Sequence, residues 1–254
     1  MKIKRLFLLL VMVLVSNSCS PRCEDDSCLR ILFIGNSYTF ANDLPVTLTE
    51  LAKSGSHQIE TGMAAEGGMT LTNHADSADT TSQISSSQWD FVVLQEQSQI
   101  PSVKEFRLNQ MYPAARVLVQ EIEGIGAVPL FFIPWAHRDG WPENGMQTYM
   151  EMQGQIERGY FDIANELGAP MAPVGFAWAV VIQEHSEINL WQADGSHPTK
   201  EGTYLAASVF YTVLFQESPE GLAYHAGISP ESAAILQKIV ADMILKNLDQ
   251  WNIK

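Results

Sequence analysis

Cysteine is scarce and confined to one end: the chain has three, Cys19, Cys23 and Cys28, and none beyond. Neither their spacing nor a nearby histidine suggests a zinc site. Positive charge is also short, with 15 Lys and Arg against 29 Asp and Glu and a formal charge of −14. That balance argues against a protein that tracks nucleic-acid phosphates. Long apolar runs are missing apart from Leu6 to Val15, which is too short to span a bilayer as a stable helix. There is no Gly-x-Ser-x-Gly elbow, no Gly-x-x-x-x-Gly-Lys phosphate loop and no His-Glu-x-x-His pair. No repeat, low-complexity tract or linker interrupts the chain after residue 28. What is present is globular: 254 residues, 46% apolar and 17% charged, enough for one α/β domain with a sizeable core.

The first 18 residues read as a signal peptide. Lys2, Lys4 and Arg5 precede the apolar run, and small or polar residues follow it. Their removal takes three positive charges and no negative ones, leaving −17 from −14. Val15-Ser16-Asn17-Ser18-Cys19 resembles a bacterial lipobox, with Ser18 as the small residue before the cysteine; Ser16 and Asn17 depart from the usual pattern. That resemblance implies a lipidated Cys19, an envelope lipoprotein in the periplasm or at the cell surface, and membrane attachment through the lipid alone. Ordinary cleavage would instead give a soluble secreted protein. Residues 19–28 then form a polar tether before a domain over 29–254. In an oxidising compartment Cys23 and Cys28 can pair beside the first strand, or stay as free thiols.

Strand and helix patterns alternate from there. Leu29 to Ile34 is a continuous apolar run with β-branched members and reads as a buried strand; Phe91 to Leu94 and Val128 to Pro134 read as strands too, Ile59 to Ala64 carries a weaker strand pattern, and Met171 to Val174 a short one. Helical patterns cover Asp43 to Lys53, Lys104 to Ile122, Gln147 to Leu167, Thr199 to Phe215 and Pro230 to Leu248, with Pro113 set to kink or reset the second. The expected fold is a doubly wound, flavodoxin-like three-layer sandwich with a five-stranded parallel sheet. Ligands bind such sheets beyond the carboxyl ends of the strands. Those ends carry Gly35-Asn36-Ser37, Gly67-Gly68, Gln95-Glu96-Gln97-Ser98 and Pro134-Trp135-Ala136-His137.

A serine nucleophile needs a base, the base needs an orienting carboxylate, and the oxyanion needs preorganised donors. Ser37 sits at a strand-to-helix turn, where an ordinary N-cap serine would also sit. Asp194, three residues before His197 around Gly195, can reach the imidazole Nδ1 and leave Nε2 for a serine; a plain turn is the bland reading. Gly68 lets a backbone N–H approach a ligand closely, and Gln97 offers a carboxamide donor. His137 and His74 lie near strand ends and could line a pocket, though loop histidines are usually just satisfied. Trp135, Trp141 and Trp178 could stack on sugars, though aromatic residues more often pack.

The order Ser, Gly, amide, Asp-x-x-His resembles the SGNH (GDSL-type) hydrolase superfamily across nearly the whole mature chain. The resemblance rests on Gly35-Asn36-Ser37, Gly68 and Asp194 to His197. It implies an esterase that forms an acyl-enzyme on Ser37, with His197 as base and Asp194 orienting it. Ser37 N–H, Gly68 N–H and Gln97 would bind the oxyanion, and no metal or organic cofactor is required. The third block departs from the family, with Gln95-Glu96-Gln97 where a Gly and an Asn are usual. The departure implies a divergent branch in which the longer Gln97 stands for the family Asn at the oxyanion hole. By family analogy the substrate is a small acyl ester of a carbohydrate. The competing reading is a surface glycan-binding protein that keeps the fold without catalysis.

Overall fold

The computed structural model describes residues 28–254. The leader, the lipidation expected at Cys19 and the part of Cys23 in a disulfide fall outside them; Cys28 itself is buried and disulfide-bonded. No helix among the described residues is long and apolar enough to cross a membrane.

Five parallel strands form one sheet: β1 (Leu29–Gly35), β2 (Ile59–Ala65), β3 (Phe91–Leu94), β4 (Val128–Phe132) and β5 (Met171–Ala172). Their spatial order is β2-β1-β3-β4-β5, the doubly wound order expected. β1, β3 and β4 are short β-branched or aromatic runs buried at their centres, as strands covered on both faces must be, whereas the edge strand β2 leaves Glu60 to Met63 partly exposed.

Two neighbouring side chains on β4 show the layering, because successive strand residues point to opposite faces. Phe132 meets Phe210 edge-on at 5.1 Å, in the helix Lys200–Phe215. Phe131 meets Tyr160 at 6.1 Å, in the helix Tyr149–Leu167. Those two helices therefore cover opposite faces. Lys200–Phe215 packs with Leu44–Ser54, Val174–Glu184 and Pro230–Ile244, while Tyr112–Gly124 packs with Tyr149–Leu167 on the other side.

Most helix limits follow from caps. Thr148 and Glu151 form a reciprocal capping box before Tyr149, and Thr199 accepts from Gly202 N–H before Lys200. Pro113 does reset its helix. Residues Arg107–Met111 widen into a π turn in which Tyr112 N–H reaches Arg107 O. A proline cannot donate to the carbonyl four residues back and its ring clashes there, so the ladder loosens just before it. Two expectations need correction. The expected strand Met171 to Val174 ends at Ala172, because Val174 starts the helix Val174–Glu184. Between β2 and β3 the chain forms two short helices, Leu71–Ala75 and Ala78–Ser85, that no pattern announced.

Candidate active site

The order β2-β1-β3 reverses the winding direction at β1, so a crevice opens between the carboxyl ends of β1 and β3. A cleft of about 550 Å³ lies there. Ser37, Gly68, Gln97, Ser98, His137 and His197 line it. Four of the five predicted site residues, Ser37, Gly68, Gln97 and His197, thus face one cleft, and Asp194 stands behind His197.

Ser37 opens the short helix Ser37–Phe40, whose N-cap is Asn36. Asn36 is 2% exposed and makes three different contacts. Its Oδ1 accepts from Tyr38 N–H at 3.2 Å, its Nδ2–H donates to Met69 O at 2.9 Å, and its backbone N–H donates to Gln95 Oε1 at 3.0 Å. Gln95 Oε1 also accepts from Thr39 Oγ1 at 3.0 Å. The turn that presents Ser37 is thereby braced from β3 and from the segment after β2. Gly35 is required by crowding: a Cβ there would lie 2.4 Å from Thr39 Oγ1 and 2.7 Å from Gln95 Oε1. Gly35→Ala is expected to cost about 1–3 kcal/mol, read as a shift in the chemical-denaturation midpoint, since both offending atoms are tied into the brace.

The base comes from the other end of the chain. Residues 190–199 form a loop pinched at its base by Thr199 N–H to Leu190 O at 2.9 Å and Gln192 N–H to His197 O at 2.8 Å. Asp194 Oδ1 accepts from Ser196 N–H at 2.9 Å and His197 N–H at 3.0 Å, which folds the turn tightly. Asp194 Oδ2 meets His197 Nδ1 at 2.6 Å, and His197 Nε2 meets Ser37 Oγ at 2.9 Å. Burial works against the charge on Asp194. The Ser196 N–H, the His197 ring and the His197 N–H outweigh it and hold the carboxyl down at about 2. A carboxylate can only accept, so Nδ1 carries the proton and the unprotonated Nε2 accepts from Ser37.

The segment after β4 seats that loop. Trp135 Nε1–H donates to Ser196 O at 2.9 Å, and Arg138 N–H donates to Gly195 O at 2.8 Å. Trp135 stacks between Tyr38 at 4.5 Å and Trp178 at 4.1 Å. Tyr38 OH in turn lies 2.7 Å from Ser196 Oγ; burial pushes its phenol up to about 12, so it stays protonated. Trp135 and Trp178 are fully buried, so neither offers a sugar-stacking face. Trp141 is partly buried against the core.

The remaining histidines divide. His74 is 1% exposed and closed off, with Nε2–H donating to Gly35 O at 2.8 Å and Nδ1 accepting from Thr80 Oγ1 at 3.0 Å. It is a core residue that steadies the end of β1, and burial lowers its pKa. His137 does line the cleft, 3.4 Å from Ser98 Oγ; its pKa is also lowered by burial.

Three donors were expected around the oxyanion. Among the described residues no backbone acceptor takes the N–H of Ser37 or of Gly68. Gly68 has φ +74°, a left-handed backbone that favours glycine. The Gln97 carboxamide is steered by its neighbour: Nε2 donates to Gln99 Oε1 at 3.1 Å, and Oε1 accepts from Gln99 N–H at 2.8 Å. An amide nitrogen has two hydrogens, so a second remains on the Nε2 of this cleft-lining residue. The sequence reading missed the bracing set Asn36, Gln95, Tyr38 and Glu96. The available signal was three polar residues directly after an apolar strand, which a solvent-facing loop would not need to bury. Among the described residues no cluster of three or more His, Cys, Asp or Glu could hold a metal ion.

No family model and no curated protein matches the sequence, but solved structures match the fold. A protein from Slackia heliotrinireducens, provisionally assigned as an SGNH hydrolase, is 29% identical with a TM-score of 0.62, over 72% of this chain and 97% of that one. A DUF4886 family protein from Bacteroides uniformis is 20% identical with a TM-score of 0.74, over 86% of this chain and 95% of that one. An acetyl-xylooligosaccharide esterase from Geobacillus is 16% identical with a TM-score of 0.57, over 79% of this chain and 95% of that one. The last two are likenesses of fold.

Proposed function

We propose that the chain is an ester hydrolase of the SGNH kind, as its likeness to the Slackia heliotrinireducens protein supports, and that it removes a small acyl group from a carbohydrate through an acyl-enzyme on Ser37. The observation that carries the reading is the unbroken chain from Ser37 Oγ through His197 to Asp194, at 2.9 and 2.6 Å.

In this reading His197 Nε2 takes the Ser37 proton as Oγ attacks the acyl carbon. Asp194 stabilises the imidazolium and keeps the ring turned towards Ser37. The tetrahedral oxyanion sits among Ser37 N–H, Gly68 N–H and the free Gln97 N–H. His197 then gives its proton to the departing alcohol oxygen, leaving an acyl ester on Ser37. Water, deprotonated by the same Nε2, attacks that ester and releases the acid.

The carbohydrate part rests on the fold shared with the Geobacillus esterase and on the amide, hydroxyl and imidazole of Gln97, Ser98 and His137, which are among the groups lining the cleft. The test is acetate release from acetylated xylo-oligosaccharides beside hydrolysis of aryl acetate and aryl butyrate. Release from the glycans, with acetate preferred to butyrate, is expected. Turnover of the aryl esters with no glycan deacetylation would overturn the carbohydrate assignment. Export to the cell envelope, with a lipid on Cys19 as the sole membrane attachment, belongs to the same proposal and is supported by the leader pattern.

A further inference from the structure

Glu96 is the fully buried side chain that the mechanism leaves unused. It follows β3 directly, between Gln95, which braces the Ser37 turn, and Gln97 at the cleft. Its Oε1 accepts two backbone donors: Gln97 N–H at 2.7 Å and Leu71 N–H at 3.2 Å. Its own N–H donates to Tyr160 OH at 2.9 Å. Its Oε2 is buried without any hydrogen-bond partner. Among the described residues it forms no ion pair. A buried carboxyl in that state costs stability, so packing alone does not account for it.

The two donors belong to different oxyanion segments. Leu71 ends the stretch Gly67 to Leu71 after β2, and Gln97 belongs to the turn after β3. Asn36 grips the same stretch from the other side, through Met69 O at 2.9 Å. Gly68 thus hangs from a segment pinned at two points, by Asn36 from the Ser37 turn and by Glu96 from the Gln97 turn. We infer that Glu96 is a positioning residue, whose single oxygen fixes the separation of the Gly68 and Gln97 donors around the oxyanion. This rests on the esterase reading given above.

The same contacts predict a pH signature. Burial raises the Glu96 carboxyl to about 8, opposed only by its two backbone donors. Tyr160 is the titratable group that meets it, and burial holds that phenol protonated. The acid is raised from an ordinary value of 4.5. Between 4.5 and 8 the folded state therefore holds a proton that the unfolded chain has lost, and stability falls as pH rises through that window. Above it, a buried anion with one bare oxygen strains the clamp.

The experiment compares wild type, Glu96→Leu and Glu96→Gln in kcat, KM and thermal midpoint, with an aryl acetate from pH 6 to 10. Leucine removes the acceptor and is expected to lower kcat about 10–100-fold, with KM within about twofold, because misplaced donors lose mainly transition-state contacts. Glutamine keeps one acceptor oxygen and is expected to recover most of kcat. It is also expected to lose both the kcat inflection near pH 8 and the fall in thermal midpoint between pH 5 and 8 that wild type shows. Wild-type kcat in Glu96→Leu would overturn the inference. So would a kcat profile for Glu96→Gln that superimposes on wild type, and this second comparison decides the matter if the leucine variant does not fold. If wild type itself has no esterase activity, the underlying esterase reading fails instead.

Discussion

Ser37→Ala is expected to lower kcat for an aryl acetate by about 10⁴–10⁶-fold while the thermal midpoint stays near that of wild type. Ser37 lies on the surface of the cleft, and its side chain makes one recorded hydrogen bond, to His197 Nε2. Little of the fold therefore depends on it, whereas the acyl-enzyme cannot form without Oγ. Because Ser37 and His197 act as one unit, adding His197→Ala to Ser37→Ala should cost little more. Steady-state kinetics on the two single variants and the double variant make the check. A double variant slower than wild type by the product of the two single losses would mean that the two side chains act independently.

Asp194→Asn is the second large effect, about 10³–10⁴-fold in kcat with KM nearly unchanged. The carboxylate accepts from His197 Nδ1–H and from the N–H groups of Ser196 and His197. An asparagine can keep the backbone contacts by presenting its oxygen to them. Its NH₂ then faces Nδ1, the imidazole proton moves to Nε2, and the nitrogen that should take the Ser37 proton becomes a donor. The turn survives and the tautomer is lost. The native carboxyl is held down at about 2 from an ordinary value of 3.8. Its contribution to stability is therefore present above 3.8 and disappears as pH falls towards 2. It stays ionised throughout the neutral range, so the acid limb of the wild-type rate profile does not come from its titration. A rate loss in Asp194→Asn that vanished at neutral pH would contradict this.

Most of the sheet was legible because β1, β3 and β4 are short apolar runs set between helical patterns; β2, with Glu60, Thr61 and Gly62 along it, carries a weaker signal. The helix Val174–Glu184 was not legible. Val-Gly-Phe-Ala-Trp-Ala-Val-Val-Ile has no polar face to mark a 3.6-residue period, since one side meets the core and the other meets neighbouring helices. Leu71–Ala75 is too short to show a period at all. At the site, Ser37, Asp194 and His197 were legible as a spaced set in the right order, and the structure brings them into one hydrogen-bonded line. Trp135 and His74 were harder. Trp135 follows β4 and His74 lies in the short helix after β2, and only their contacts reveal a stacked core ring and a core imidazole hydrogen-bonded at both nitrogens. The third block departs from the family because the longer Gln97 stands for the usual Asn and the Gly is absent, which bears on the oxyanion hole. Its extra side chains have a use that spacing cannot disclose: Gln95 fills the space that Gly35 leaves open, and Glu96 ties two loops together.

Reaction with a fluorophosphonate, followed by intact mass and peptide mapping, tests the acyl-enzyme on Ser37 most directly. A single phosphonyl adduct on Ser37, formed at a rate that collapses in His197→Ala and Asp194→Asn, is the expected result. An unmodified wild-type protein, or an adduct on any other residue, would contradict the account and favour a glycan-binding protein that has kept the fold without its chemistry.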